Sequence, residues 1–162
     1  MTVTFNALEI FEIAGQIERN GAHFYRSAAA IFDAPPIREM LLRLAEWETE
    51  HEQTFAHMKE QLSRPHAELR SFRPGETLPD PRVMAGLAVF GIRAEPTEEL
   101  NGKECRADIL RRAVEKEKDS IVFYHGLKDF LCGATDQEQI DNIIREEMRH
   151  ISILDESFKQ TE

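Results

Sequence analysis

Apolar residues recur along this chain in steps of three and four, the period of an α-helix that buries one face. Phe11, Ala14, Glu18, Gly21, Tyr25, Ala28 and Phe32 form a first such stripe. It predicts a helix capped at Asn6, with Glu9 as its capping-box partner, running to about Ile31. Asp33-Ala34-Pro35-Pro36 interrupts it, because proline suits a helix start and not a helix interior. A second stripe, Ile37, Leu41, Leu44, Glu48, His51, Phe55, Met58 and Leu62, predicts a helix from about Pro36 to Leu62, and the short loop before it predicts an antiparallel pair. Leu110, Val114, Glu117, Ile121, Tyr124, Leu127 and Leu131 give a third, from about Glu104 to Leu131, with Gly133 as its stop. Ile140, Ile143, Glu147, His150, Leu154 and Phe158 give a fourth, from about Asp136 to Phe158, with Thr135 and Glu138 as a capping box. Each stripe loses its apolar character near its middle.

Those interruptions repeat. Glu18 and Tyr25 recur 99 residues later as Glu117 and Tyr124, and Glu48 and His51 recur at the same offset as Glu147 and His150. A shared register at four positions marks an internal duplication, each half a helical hairpin. The halves are joined by residues 63–104, which Pro65, Pro74, Pro79, Pro81 and Pro96 punctuate together with Gly75 and Gly102. A connection this long fits a crossover returning the chain along the bundle, with a short buried helix expected from Arg82 to Gly91. No β-rich segment is present. The pattern therefore predicts an all-α fold, a four-helix bundle with one long crossover, as one domain over residues 1–162.

Composition narrows the chemistry. A net charge of −10 with no basic stripe argues against nucleic acid as a partner. The longest mostly apolar run, Val83 to Ile92, is too short to span a bilayer, and the N-terminal segment lacks the pattern of a secretory signal. The two cysteines, Cys105 and Cys132, lie too far apart on one helix to bridge and read as free thiols in a reducing cytoplasm.

The stripes place Glu18, Glu48, His51, Glu117, Glu147 and His150 at the centre of the bundle. Four carboxylates buried without compensation would protonate or disrupt the core. A pair of metal cations supplies the compensation. Glutamate and histidine at i and i+3 share a helix face and can reach one point. Mixed carboxylate and imidazole ligands favour iron or manganese, with zinc compatible on ligand type. Glu46, Glu50, Glu52, Glu115 and Glu146 fall on other faces and read as surface residues. His23, His57, His66 and His125 read as exposed, Trp47 as a packing residue, and Met58 and Met148 as core or interface filler.

The order Glu, Glu-x-x-His, Glu, Glu-x-x-His resembles the ferritin-like carboxylate proteins, and with the two tyrosines it resembles their rubrerythrin-related branch. The resemblance implies two iron ions, with Glu18 and Glu117 as terminal ligands, Glu48 and Glu147 as bridges, and His51 and His150 each on one metal. Tyr25 and Tyr124 resemble that branch's tyrosines beside the site, which hydrogen-bond its carboxylates. It implies a homodimer that reduces peroxide or dioxygen. Iron handling by ferroxidase activity and a non-catalytic, metal-stapled interaction module are the competing readings. Two departures matter. The chain has no Cys-x-x-Cys pairs, so a rubredoxin-like module is missing and electrons must come from a separate protein. The further helix-three glutamate of rubrerythrins is replaced by Ser120, with Asp119 nearby but facing away.

Overall fold

The computed structural model describes residues 7–62, 100–131 and 133–160. Four α-helices run through them: α1 (Ala7–Ala29), α2 (Pro35–Leu62), α3 (Arg106–Phe130) and α4 (Ala134–Lys159). There is no strand among the described residues. The helical bounds fall within two residues of those the periodicity predicts. The short helix expected from Arg82 to Gly91 and the Asn6 cap lie outside the described residues.

Local chemistry explains most of the helix ends. Pro35 and Pro36 open α2, where a missing N–H costs nothing because no intrahelical acceptor exists there. Cys105 caps α3, with its backbone N–H donating to Asp108 in a capping box. The start of α4 differs from expectation. Gly133, at φ −83°, is the N-cap of α4 rather than a left-handed stop for α3, and the Gln137 N–H reaches its carbonyl. Thr135 therefore lies inside the helix. Among the described residues, Gly102 is a glycine with positive φ, and its N–H donates to Glu104 just before α3.

Packing follows the duplication. α1 lies along α2 and α3 along α4; the two hairpins meet where α1 approaches α3 and α2 approaches α4. All four helices contribute to each of two apolar clusters. One holds Phe11, Ile17, Phe55, Met58, Phe123, Leu127, Ile140 and Ile144. The other holds Phe24, Ala28, Leu41, Leu44, Ile109, Leu110, Ala113 and Leu154. Each large side chain buried in this way stabilises the fold by about 1.5–3 kcal/mol. Between the clusters lies a layer of buried Glu18, Glu48, His51, Glu117, Glu147 and His150. The core is thus split by a charged layer at mid-bundle, as the interrupted stripes require.

Candidate metal centre

Each helix delivers its polar residues from the buried stripe, so their side chains converge instead of reaching solvent. His51 sits between the halves: its Nδ1 is 3.0 Å from Glu147 Oε1 and 3.4 Å from Glu18 Oε2. His150 Nδ1 lies 3.2 Å from Glu48 Oε1, 3.2 Å from Glu147 Oε2 and 3.6 Å from Glu117 Oε2. Ligand atoms of Glu18, Glu48, His51 and Glu147 all lie within 4.8 Å of one another, and so do those of Glu48, Glu117, Glu147 and His150. The two groups share Glu48 and Glu147. All six residues expected at the centre are brought together.

The tyrosines cross between the halves. Tyr25 of α1 donates its hydroxyl proton to Glu117 Oε1 of α3, and Tyr124 of α3 donates to Glu18 Oε1 of α1. This exchange is the two-fold consequence of the duplication: each tyrosine serves the other half's glutamate. Both phenols are fully buried. Burial, and then the charge of the glutamate each one serves, pushes their pKa well above 10.

The electrostatics of the metal-free layer are those of an internal salt. Burial disfavours charge on His51, but hydrogen bonds and Coulomb attraction from Glu147 and Glu18 outweigh it and raise its pKa to about 12. Burial likewise opposes charge on His150, and Glu117, Glu147 and Glu48 overcome it to give about 12. Burial, then repulsion from Glu117, lifts Glu147 to about 8. Burial and the neighbouring carboxylates push Glu48 well above the usual carboxylate range. Burial also opposes the charge on Glu117, yet hydrogen bonding from Glu147 and His150 holds it below that range. Protons on the imidazoles and on some carboxylates thus do the neutralising that a cation pair would do.

The residues fit a metal pair by a further observation. Glu18 Oε2, Glu48 Oε1, Glu147 Oε2 and His150 Nδ1 are buried, and their close neighbours give none of them a well-aligned hydrogen bond. Native proteins seldom leave such atoms unsatisfied. Here they gather in two groups whose ligand atoms lie within 4.8 Å of one another, as ligands around an ion do. Gly21 belongs to the same design: a Cβ there would collide with Glu48 Oε2, so the glycine makes room for a shared carboxylate.

Several residues behave differently from expectation. Glu146 is exposed, but it is not a bystander: its Oε2 lies 2.6 Å from His51 Nε2. Trp47 packs as expected, with its ring stacked on His150 at 5.2 Å and 9°. His51 and His150 stack on each other at 5.6 Å and 17°. His23 is only half-buried, near Ser27, rather than exposed; His57 and His125 are exposed, and His66 lies outside the described residues. Met58 is in the core and Met148 is exposed. Glu52 pairs with Arg19 at 2.8 Å on the surface, while Glu46, Glu50 and Glu115 are exposed. Cys105 is a free, exposed thiol. Lys116, which sequence reasoning passed over, is buried with its ammonium 4.7 Å from the Phe24 ring centre, and Ser120 is buried beside it. Both line a small recess with Ile17, Gly21, Tyr25, Glu48 and Glu117. Subtracting 99 from their numbers would have flagged them, since Lys116 answers Ile17 and Ser120 answers Gly21.

No family model and no curated protein matches this chain. Among solved structures, it is similar to a protein from Thermotoga maritima described provisionally as a ferritin-like diiron-carboxylate protein. The two are 24% identical, with 98% of each chain covered and a TM-score of 0.69. The fold is therefore the ferritin-like bundle, and at its centre lie two clusters of carboxylate and imidazole groups suited to a pair of metal ions.

Proposed function

We propose that this chain is a di-iron carboxylate oxidoreductase of rubrerythrin-like type, cytoplasmic and homodimeric, that reduces peroxide or dioxygen with electrons from a separate donor protein. The observation that carries the reading is the pair of four-residue ligand groups sharing Glu48 and Glu147. The likeness to a protein described as a diiron-carboxylate protein supports it. In this reading Glu18 and His51 would hold one metal and Glu117 and His150 the other, with Glu48 and Glu147 available to both. Bound iron would supply the one-electron steps that the side chains cannot.

The chain's own residues supply the rest. Glu48 and Glu147 are buried and would be shared between the two metal positions. Tyr25 and Tyr124 each hold one oxygen of a terminal glutamate, leaving the other oxygen directed to the centre. Their phenols remain protonated at any physiological pH, so they act as fixed hydrogen-bond donors. The apolar clusters above and below exclude bulk water and confine small reactants to the polar layer.

The test is metal content per chain by mass spectrometry after anaerobic Fe(II) loading and desalting, followed by an absorbance spectrum as air is admitted. About two irons per chain and near-ultraviolet absorption typical of a coupled ferric pair are expected, followed by peroxide consumption with an added reductant. Failure to retain iron, manganese or zinc would overturn the reading. Retention of two metals without turnover of peroxide or dioxygen would leave the metals as structural.

A further inference from the structure

The duplication is exact at the six ligand positions but not around them, and one of the differences falls on the two histidines. Each histidine turns Nδ1 toward the centre, where it meets the shared and terminal carboxylates. The outward nitrogen of His51 meets Glu146 Oε2 at 2.6 Å. In the first half the position that answers Glu146, 99 residues earlier, is Trp47. Its indole lies flat against the His150 ring, 5.2 Å away and 9° from parallel. One imidazole therefore has a carboxylate acceptor at its outer edge, and the other has an aromatic face across its plane.

These neighbours have different consequences for a ligand. A carboxylate at Nε2 holds the proton there, which leaves the Nδ1 lone pair free for an ion. It also makes the ring a stronger donor to a metal, and partners of this kind typically change affinity by about 10–100-fold. A stacked indole fixes the plane of His150 and excludes water from one face. The indole face itself offers no carboxylate acceptor for a ring N–H.

We infer that Glu146 is a positioning residue that makes the two metal positions unequal, so that the Glu18–His51 position fills before the Glu117–His150 position. The inference rests on the di-metal reading and deepens it: a stepwise site can hold one ion while the second position is vacant or exchanging. Nothing in the ligand set itself distinguishes the two halves, since each contributes one terminal glutamate, one shared glutamate and one histidine. At the histidines themselves, the asymmetry comes from positions 47 and 146.

The test uses the full chain labelled with ¹⁵N-histidine, titrated with Zn(II) alone and followed by NMR of the ring nitrogens. In the unsubstituted protein, the Nδ1 resonance of His51 is expected to move during the first equivalent and that of His150 during the second. Glu146→Ala should weaken binding at His51 by about 10–100-fold and abolish or invert that order, while Glu146→Gln, which keeps an acceptor oxygen, restores part of it. Glu146 is 56% exposed, so circular dichroism should show the helices of both variants intact. Two equivalents bound with both histidines moving together, or an unchanged order in Glu146→Ala, would overturn the inference and leave the di-metal reading standing. Fewer than two ions bound by the unsubstituted protein would overturn that reading and the inference with it.

Discussion

Glu48 and Glu147 differ from the other four central residues in belonging to both ligand groups. Removing either one should therefore disturb both metal positions, whereas removing a terminal glutamate should disturb one. Glu48→Ala and Glu147→Ala are expected to lose the paired site, and Glu18→Ala to keep about one metal per chain; mass spectrometry of loaded, desalted protein reads the difference. Gly21 gives a gentler version of the same experiment. Alanine in a helix is ordinarily better than glycine by about 0.8–1 kcal/mol, but a Cβ at position 21 would strike the Glu48 carboxylate. Gly21→Ala is expected to retain helical content and lose metal affinity, and equal affinity in a calorimetric titration would show that Glu48 can move aside without cost. The pairing of Tyr25 with Glu117 and of Tyr124 with Glu18 makes another residue-scale statement. Hydrogen bonds to charged groups contribute about 1.5–3 kcal/mol, so Tyr25→Phe should destabilise the metal-free protein by about that amount in urea unfolding.

The helices illustrate why an anomaly in a periodic pattern is more informative than the pattern. Most residues of the four stripes are buried, and Gly21, Phe32, Leu62, Val114, Ile121 and Phe158 are partly exposed. The stripes understate the core, because a helix face wide enough to pack on two neighbours also buries Ile10, Ile17, Phe24, Ile109 and Phe123. Because the polar layer splits the core, each apolar cluster must secure its own end of the bundle. Leu41→Ala in one cluster and Leu127→Ala in the other are each expected to cost about 2–5 kcal/mol. The two should be nearly additive in a double variant, since the clusters share no contacts that a cavity in one would relax. Strong non-additivity in chemical denaturation would show that the layer transmits strain between the ends. The start of α4 shows the limit of cap reading: Thr135 with Glu138 has the right spacing, but three-residue closure between α3 and α4 puts the cap two positions earlier, at Gly133.

For the molecule as a whole, the buried layer dictates an unusual response to pH. Glu147 keeps a proton up to about 8 in the native state, against 4.5 for an ordinary glutamate. His51 and His150 keep theirs up to about 12, against 6.5. Between each pair of values the native protein binds more protons than the unfolded chain, so stability falls as pH rises. The metal-free protein should lose thermal stability steadily from about pH 5 to pH 9. Metal binding displaces those same protons and strengthens with pH. The gain in melting temperature on adding Mn(II) or Zn(II) should therefore widen over the same range, and a gain independent of pH would contradict the ligand set. No helix among the described residues is long and apolar enough to cross a membrane.

The sequence by itself determined the four helices found among the described residues, their approximate bounds, the duplication and the six residues that meet at the centre. It could do so because a helix has one period, and a carboxylate or imidazole at a buried register position leaves few alternatives to a shared ionic layer. Only the tertiary structure decided which groups face which. That Glu48 and Glu147 belong to both ligand groups, that the tyrosines cross between halves, and that Glu146 reaches His51 while Trp47 covers His150 all depend on contacts between helices. Glu146 sits next to Glu147 on α4, and its register reads as a surface position. The side chain is long enough to bend back over the rim of the bundle, and periodicity carries no information about where a flexible side chain ends.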